Sequence, residues 1–168
     1  VFGSNSQLRA LAEVYGSARR REAVHENAPL HPANPYALSK LAAEQAALQL
    51  AARHGLWVVV ARPENHIGPG QFKDFVAPAF ARQVAAIARG KAPPVLRVGN
   101  LASRRDFLDV RDVVRAYRLL LTRGRSGEAY NIASGRPVAV RDLLRELCRL
   151  AGLRPRLVVD HARYRPVN

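Results

Sequence analysis

The chain has 168 residues, 48% of them hydrophobic and 24% charged, an ordinary globular composition that argues against both a disordered tail and a membrane protein. Its 27 Lys and Arg against 13 Asp and Glu give a formal charge of +14, enough to attract an anionic partner such as nucleic acid, an anionic membrane or a diphosphate. One core is expected at this length, and no apolar run approaches the ~20 residues that a bilayer requires. The opening VFGSNSQLR has neither a basic start nor an apolar stretch, so no signal peptide and a cytoplasmic location are expected. The single cysteine, Cys148, agrees with a reducing compartment.

In chain order, the first strong element is a helix over Ala37 to His54, rich in Ala, Leu, Gln, Lys and Glu, with Gly55 as its stop. Leu56 to Ala61 is a continuous, β-branched apolar run, as a strand buried on both faces of a parallel sheet should be. Helix followed closely by strand is half of a βαβ unit. After Pro63 the Gly68-Pro69-Gly70 loop leads to a helix from about Phe75 to Arg89, ended by Gly90. Val95 to Val98 and Asp106 to Leu108 are short strand candidates. Asp109 is placed to cap a helix over Val110 to Arg123, with Asp112 in its first turn and Gly124 at its close. Glu128 to Ala133 reads as a strand, Val140 to Ala151 as a helix ending at Gly152, and Arg156 to Val159 as a last strand. The alternation predicts an α/β protein with a partly parallel sheet.

Tyr36 and Lys40 stand four apart near the start of the first helix, so they share a face and can meet one ligand. A phenol with an ordinary pKa near ~10 is a poor acid-base catalyst at neutral pH, but an adjacent ammonium favours the phenolate. A Tyr-x-x-x-Lys spacing alone is common by chance, a core ring beside a solvated charge. The five histidines form no pair at metal-ligand spacing and one cysteine completes no zinc site, so no metal is expected. Cys148 follows Leu143, Leu144 and Leu147 on an amphipathic helix and reads as a packing residue. Arg19-Arg20-Arg21 is the one tight basic cluster, and without interleaved aromatics the remaining arginines read as solvated faces rather than a nucleic-acid surface.

The context of Tyr36 and Lys40 is more specific than their spacing. Glu13-Val14-Tyr15-Gly16, Glu26-Asn27-Ala28-Pro29, Pro35-Tyr36-Ala37-Leu38-Ser39-Lys40 with Glu44, and Arg62-Pro63-Glu64-Asn65-His66-Ile67-Gly68-Pro69-Gly70-Gln71 occur in that order. Val98-Gly99-Asn100-Leu101, Arg105 to Asp112, Tyr130-Asn131-Ile132 and Arg165-Pro166 follow. Here the chain resembles the extended short-chain dehydrogenase/reductases, the NAD-dependent epimerases and dehydratases. The Asn-His-Ile-Gly-Pro-Gly-Gln run is most similar to the GDP-4-keto-6-deoxymannose reductases and GDP-mannose dehydratases among them.

The resemblance implies the rear of a Rossmann-like NAD(P)-binding domain over residues 1–67, and a small nucleotide-sugar lobe mainly over 68–168, with 128–133 returning as a strand to the Rossmann sheet. It implies NADP or NAD as cofactor, a GDP-sugar as substrate, and a homodimer, with neither nucleic acid nor membrane as partner. Tyr36 would donate a proton to a substrate carbonyl while Lys40 holds the nicotinamide ribose, so both also count as cofactor-binding residues. Asn65 would bind the sugar, Arg105 would clamp the pyrophosphate with its planar fork, and Gln71 and Arg165 would be nucleotide contacts. Asparagine in such a loop is otherwise a turn residue, and Arg105 could instead pair with Asp106 or Asp109. Were the reaction a dehydration, Glu13 would be the base that removes a ring proton.

Three positions depart from the family pattern. Leu11 stands where a hydroxyl polarises the carbonyl, and Ser4 or Ser6 would have to substitute for it. None of the 11 glycines has the Gly-x-Gly-x-x-Gly spacing that cradles a dinucleotide diphosphate. Glu64 replaces an apolar residue and needs a partner or solvent. With no methionine in the chain, the sequence reads as a piece of such an enzyme, a decayed copy, or a binding remnant that holds a GDP-sugar without turnover.

Overall fold

The computed structural model describes residues 24–160. Among these, residues 24–66 and 108–135 form one compact unit and residues 67–107 and 136–160 another, where length alone suggested a single core. The class is α/β, with two parallel strand pairs and one antiparallel pair.

The first unit opens on α1 (Pro35–His54). Its start is fixed by Asn34, whose side-chain oxygen accepts from the Ala37 amide at 2.9 Å, and by Pro35, which suits the first turn of a helix because it has no amide to satisfy. Gly55 ends it in the left-handed conformation, φ 65°, which glycine adopts without steric cost. β1 (Val60–Pro63) runs parallel to β6 (Ala129–Ile132), with Val60 opposite Ala129 and Pro63 opposite Ile132. α3 (Val110–Arg123) packs on β1 and buries Val113. As expected, Asp109 caps α3, its carboxylate accepting from the Arg111 amide at 2.8 Å. At the far end of α3, Gly124 sits so close to the Leu120 carbonyl and the Val59 side chain that a Cβ would lie 2.6 Å from that oxygen.

The expected strand Leu56–Ala61 is shifted to Val60–Pro63. Leu56 and Trp57 are exposed, and Val58 is held by a turn rather than a ladder: its amide donates to Ser126 Oγ at 3.1 Å and its carbonyl accepts from Gly127 N at 2.8 Å. The apolar run continues past the edge of the pairing, which periodicity cannot reveal. β2 (Asn65–Ile67) pairs with β5 (Phe107–Asp109); β2, β4 (Arg104–Arg105) and β7 (Val138–Ala139) are two or three residues each and carry no strand pattern.

In the second unit α2 (Val76–Ala88) and α4 (Val140–Leu150) cover one side of β3 (Val95–Val98), which lies parallel to β8 (Arg156–Val159). Phe80, Val84 and Ile87 from α2, Leu96 and Val98 from β3, and Val140 and Leu144 from α4 make its core, with Leu147 and Cys148 packed against it. The helical residues recur every three or four positions and the strand residues every two, so each element shows one apolar face to the cluster. Each fully buried Leu or Phe contributes about 1.5–3 kcal/mol of transfer free energy. Gln83 on α2 reaches the backbone of β3, donating to the Arg97 carbonyl at 3.2 Å and accepting from its amide at 2.9 Å. Its amide group thus stands in for a neighbouring strand.

Candidate functional site

The first turn of α1 carries Tyr36 and Lys40. Tyr36 is 60% exposed, and the Lys40 ammonium lies over its ring, 5.6 Å from the centroid. That is within the ~6 Å at which a cation is attracted to an aromatic face. The two side chains are therefore on one face of the helix, Tyr36 exposed and Lys40 half-buried, as their spacing predicts for a shared face. Helix geometry and the Asn34 cap fix the pair locally, and Ser39 Oγ donates to the Tyr36 carbonyl at 2.8 Å.

Beneath this open face lies a feature that residue spacing did not bring out as a pair. Glu44 on α1 and Arg62 on β1 are 1% and 4% exposed, and form a two-pronged ion pair with Nη2 to Oε1 at 2.6 Å and Nε to Oε2 at 3.2 Å. Arg62 Nη1 also donates to the Glu26 carbonyl at 2.9 Å. The Glu26 carboxylate in turn accepts from the Asn131 amide at 2.9 Å, and that bond is the chief reason its pKa is lowered from the ordinary 4.5. Asn131 Nδ2 donates to the Val24 carbonyl at 2.8 Å. One chain of contacts, buried at the Glu44–Arg62 fork and more open toward Val24, thus joins the segment before α1, α1 itself, β1 and β6. The sequence signal was present, a carboxylate on the line of alanines that α1 buries and an arginine inside an otherwise apolar strand, but charged residues are mostly exposed and the default reading is a solvated face.

Asn65 follows β1 in the same unit. It is exposed, and its Nδ2 donates to Glu64 Oε2 at 3.3 Å, which gives the unusual carboxylate at position 64 a polar neighbour. Gln71 and Arg105 belong to the second unit. The Gln71 amide donates to the Gly68 carbonyl at 3.3 Å across a turn in which Gly70 has φ 78°. Arg105 lies on β4, half-buried, with Nη1 donating to the Arg104 carbonyl at 2.7 Å, while Arg104 Nη2 donates to the Pro137 carbonyl at 2.6 Å. Asp109 is bonded to Arg111 instead, Oδ2 accepting from Nη2 at 2.6 Å, and this holds its carboxyl down to about 2. Glu13, Leu11, Ser4, Ser6 and Arg165 lie outside the described residues.

No group of three or more His, Cys, Asp or Glu that could hold a metal occurs among the described residues, and none of the described helices is long and apolar enough to cross a membrane. Cys148 is partly buried against the second core, and burial pushes its thiol up, away from the thiolate a nucleophile needs.

The described residues thus make an α/β chain with a Tyr-Lys pair near the start of a helix that precedes a parallel strand. The comparisons give the family: residues 7–133 match the NAD dependent epimerase/dehydratase family, and the chain belongs to it. The chain is 46% identical over 154 residues to the GDP-6-deoxy-D-mannose reductase of Pseudomonas aeruginosa, covering 91% of this chain and 51% of that one. It is 33% identical over 158 residues to the trifunctional UDP-glucose 4,6-dehydratase/UDP-4-keto-6-deoxy-D-glucose 3,5-epimerase/UDP-4-keto-L-rhamnose-reductase of Arabidopsis thaliana, 93% of this chain and 23% of that one. The solved structure of RMD from Pseudomonas aeruginosa complexed with NADPH superposes with a TM-score of 0.87 at 41% identity, covering 97% of this chain and 54% of that one. The chain thus spans about half the length of the relatives it matches best here, and its fold is Rossmann-like.

Proposed function

We propose that this chain carries the proton-donating and nucleotide-sugar-binding part of an NADP-dependent reductase of GDP-4-keto-6-deoxymannose. The observation that supports it is the exposed Tyr36 ring with the Lys40 ammonium 5.6 Å from its centroid. The nicotinamide supplies hydride to the carbonyl carbon. Tyr36 gives its hydroxyl proton to the carbonyl oxygen, so a ketone becomes an alcohol, and the phenolate regains a proton from solvent. Lys40 holds the nicotinamide ribose and keeps positive charge beside the phenolate.

The cofactor fits this chain in part. The Tyr-Lys pair is open and suits the nicotinamide end, but no Gly-x-Gly-x-x-Gly spacing is present to receive the diphosphate. The first unit is assigned to the cofactor and the second, with Gln71 and Arg105, to the GDP-sugar, together with Asn65 and Arg165. Likeness to GDP-6-deoxy-D-mannose reductase supports GDP and a 6-deoxy sugar over other donors. A homodimer in the cytoplasm is the proposed assembly and setting; exposed apolar residues on α1 and α3, Leu38, Leu50, Val114 and Leu121, support self-association.

Likeness to a trifunctional relative with dehydratase and epimerase activities favours one second reading, a GDP-mannose dehydratase or an epimerase, in which Glu13 would be the base of the dehydration. A reading from another class is a remnant that binds a GDP-sugar without chemistry. Analysis of the products together with GDP-sugar binding separates them: a gain of two hydrogens from the 4-keto sugar with NADPH supports the reductase, loss of water from GDP-mannose the dehydratase, an isomer of unchanged mass resolved by chromatography the epimerase, and GDP-sugar binding with no product the remnant.

A further inference from the structure

α1 is an unusual helix to anchor by packing. Its buried positions are Ala37, Glu44 and Ala51, seven apart, so at about 100° per residue they form one narrow line. Alanines present a smooth surface: two of them resist separation of α1 from what lies beneath but resist rotation or sliding weakly. Glu44, between them, is the one long side chain on that line, and it is gripped by both prongs of the Arg62 guanidinium. A bidentate guanidinium-carboxylate contact is planar and directional, which a contact between alanines is not.

Tyr36 and Lys40 lie on the same helix, about 80° and 40° around from Glu44. Whatever fixes the rotation of Glu44 also fixes where the phenol and ammonium point. At about 6 Å from the helix axis, a rotation of about 20° moves a side-chain atom by about 2 Å. Reacting groups tolerate less: a misplacement of about 1 Å can cost about 100-fold in rate. Arg62 is also three residues before Asn65 and is tied through the Glu26 carbonyl to the segment that enters α1, so one guanidinium sets the helix against both neighbours.

We infer that the Glu44–Arg62 fork is the rotational lock of α1, which makes both residues positioning residues for Tyr36 and Lys40. This rests on the reductase reading for its consequence in catalysis, but the lock itself is a property of the chain. A merely structural role is separable from it, because a buried ion pair replaced by two apolar side chains of similar volume often keeps or raises stability, whereas removal of one partner is costly.

The test uses the whole chain with Cys148→Ser and nitroxide labels at two exposed positions, Gln49→Cys on α1 and Arg118→Cys on α3. In this background Glu44→Met alone is expected to lower Tm by about 10 °C. Glu44→Met/Arg62→Met is expected to recover most of that loss while the interlabel distance distribution broadens or shifts by about 2 Å or more. Arg62→Lys, which keeps the charge but not the fork, is expected to broaden it too, and decides the matter if the double variant does not fold. A folded double variant, or a folded Arg62→Lys, with the parent distribution overturns the lock. In the NADPH-dependent reduction, the double variant is expected to lose about 100-fold in kcat with KM changed less than about threefold. If the parent chain binds NADPH and the GDP-sugar yet turns nothing over, the reductase reading fails and the distance measurement still decides the lock.

Discussion

At the residue scale the phenol of Tyr36 is the group on which the chemistry turns. Tyr36→Phe keeps the ring under the Lys40 ammonium and removes only the hydroxyl that carries the proton, so kcat for ketone reduction is expected to fall by about 10²–10⁴, with GDP-sugar binding by calorimetry unchanged. Glu26 makes a different kind of prediction. Its carboxylate is held below its ordinary value mainly by the Asn131 amide, so the charged form is favoured in the folded chain. A depressed folded pKa contributes stability that is present above the ordinary value of 4.5 and is lost as pH falls through the lower folded value. Glu26→Gln is therefore expected to lower stability at pH 7 by about 1 kcal/mol and to flatten the decline in Tm between pH 5 and the acid limit, by calorimetry across pH. A variant whose acid decline matches the parent would remove Glu26 from the account.

Some of the site was legible before any coordinates. The Tyr36 and Lys40 spacing brought two side chains to one face because a helix turns about 100° per residue, a rule that needs no neighbours. Glu44 and Arg62 each stand in family-like motifs, yet nothing local says that two charges 18 positions apart are buried against one another. Burial is decided by what packs on top, and that is tertiary information. Arg105 was expected as a pyrophosphate clamp, with a pairing to Asp106 or Asp109 as the plainer alternative, and of these Asp109 is claimed by Arg111, two residues away on the helix it caps.

At the scale of elements, helices were read closely because their ends are written in caps. Gly55 ends α1, and Asp109 and Gly124 bracket α3, as read; the start of α1 was read at Ala37, two residues inside the Pro35 that the Asn34 cap sets, and α2 and α4 have no side-chain cap. Strands were read less well. β3 and β8 have β-branched runs, but β4 and β7 are two residues long and exist only because each finds the other, Arg104 opposite Ala139. Two substitutions probe the element level. Asn34→Ala removes the cap of the helix that bears Tyr36 and is expected to cost about 1 kcal/mol, or about 3 °C in Tm. Gly124→Ala would place a Cβ 2.6 Å from the Leu120 carbonyl and 3.0 Å from Val59, so the end of α3 must move; a loss of about 1–3 kcal/mol in urea unfolding is expected. A neutral Gly124→Ala would show that this junction yields more easily than its backbone contact implies.

For the molecule as a whole, no apolar run is long enough to cross a bilayer, and the +14 charge was read as arginines spread over solvated faces. Five of the arginines are in exposed short-range ion pairs with carboxylates two or three residues away, on or beside helices, each worth little in water. The division into two units was not readable from length, because the chain leaves the first unit after residue 66 and returns at 108, so neither unit is continuous in sequence. Each has its own source of cohesion: an apolar cluster around Leu96 in the second, and in the first a strand pair with the buried Glu44–Arg62 contact. Leu96→Ala is expected to destabilise by about 2–5 kcal/mol, read by hydrogen exchange as faster opening of α2, β3 and α4.

The central proposal is that Tyr36 is the proton donor of a 4-keto nucleotide-sugar reductase of which this chain carries one part. Its most direct measurement is NADPH oxidation with GDP-4-keto-6-deoxymannose, followed by mass analysis of the sugar nucleotide, for the parent chain and Tyr36→Phe side by side. A product heavier by two hydrogens, formed by the parent and reduced at least about 100-fold in the variant, is the predicted result. Equal product from both proteins, or none from a parent that binds both NADPH and the GDP-sugar, contradicts it.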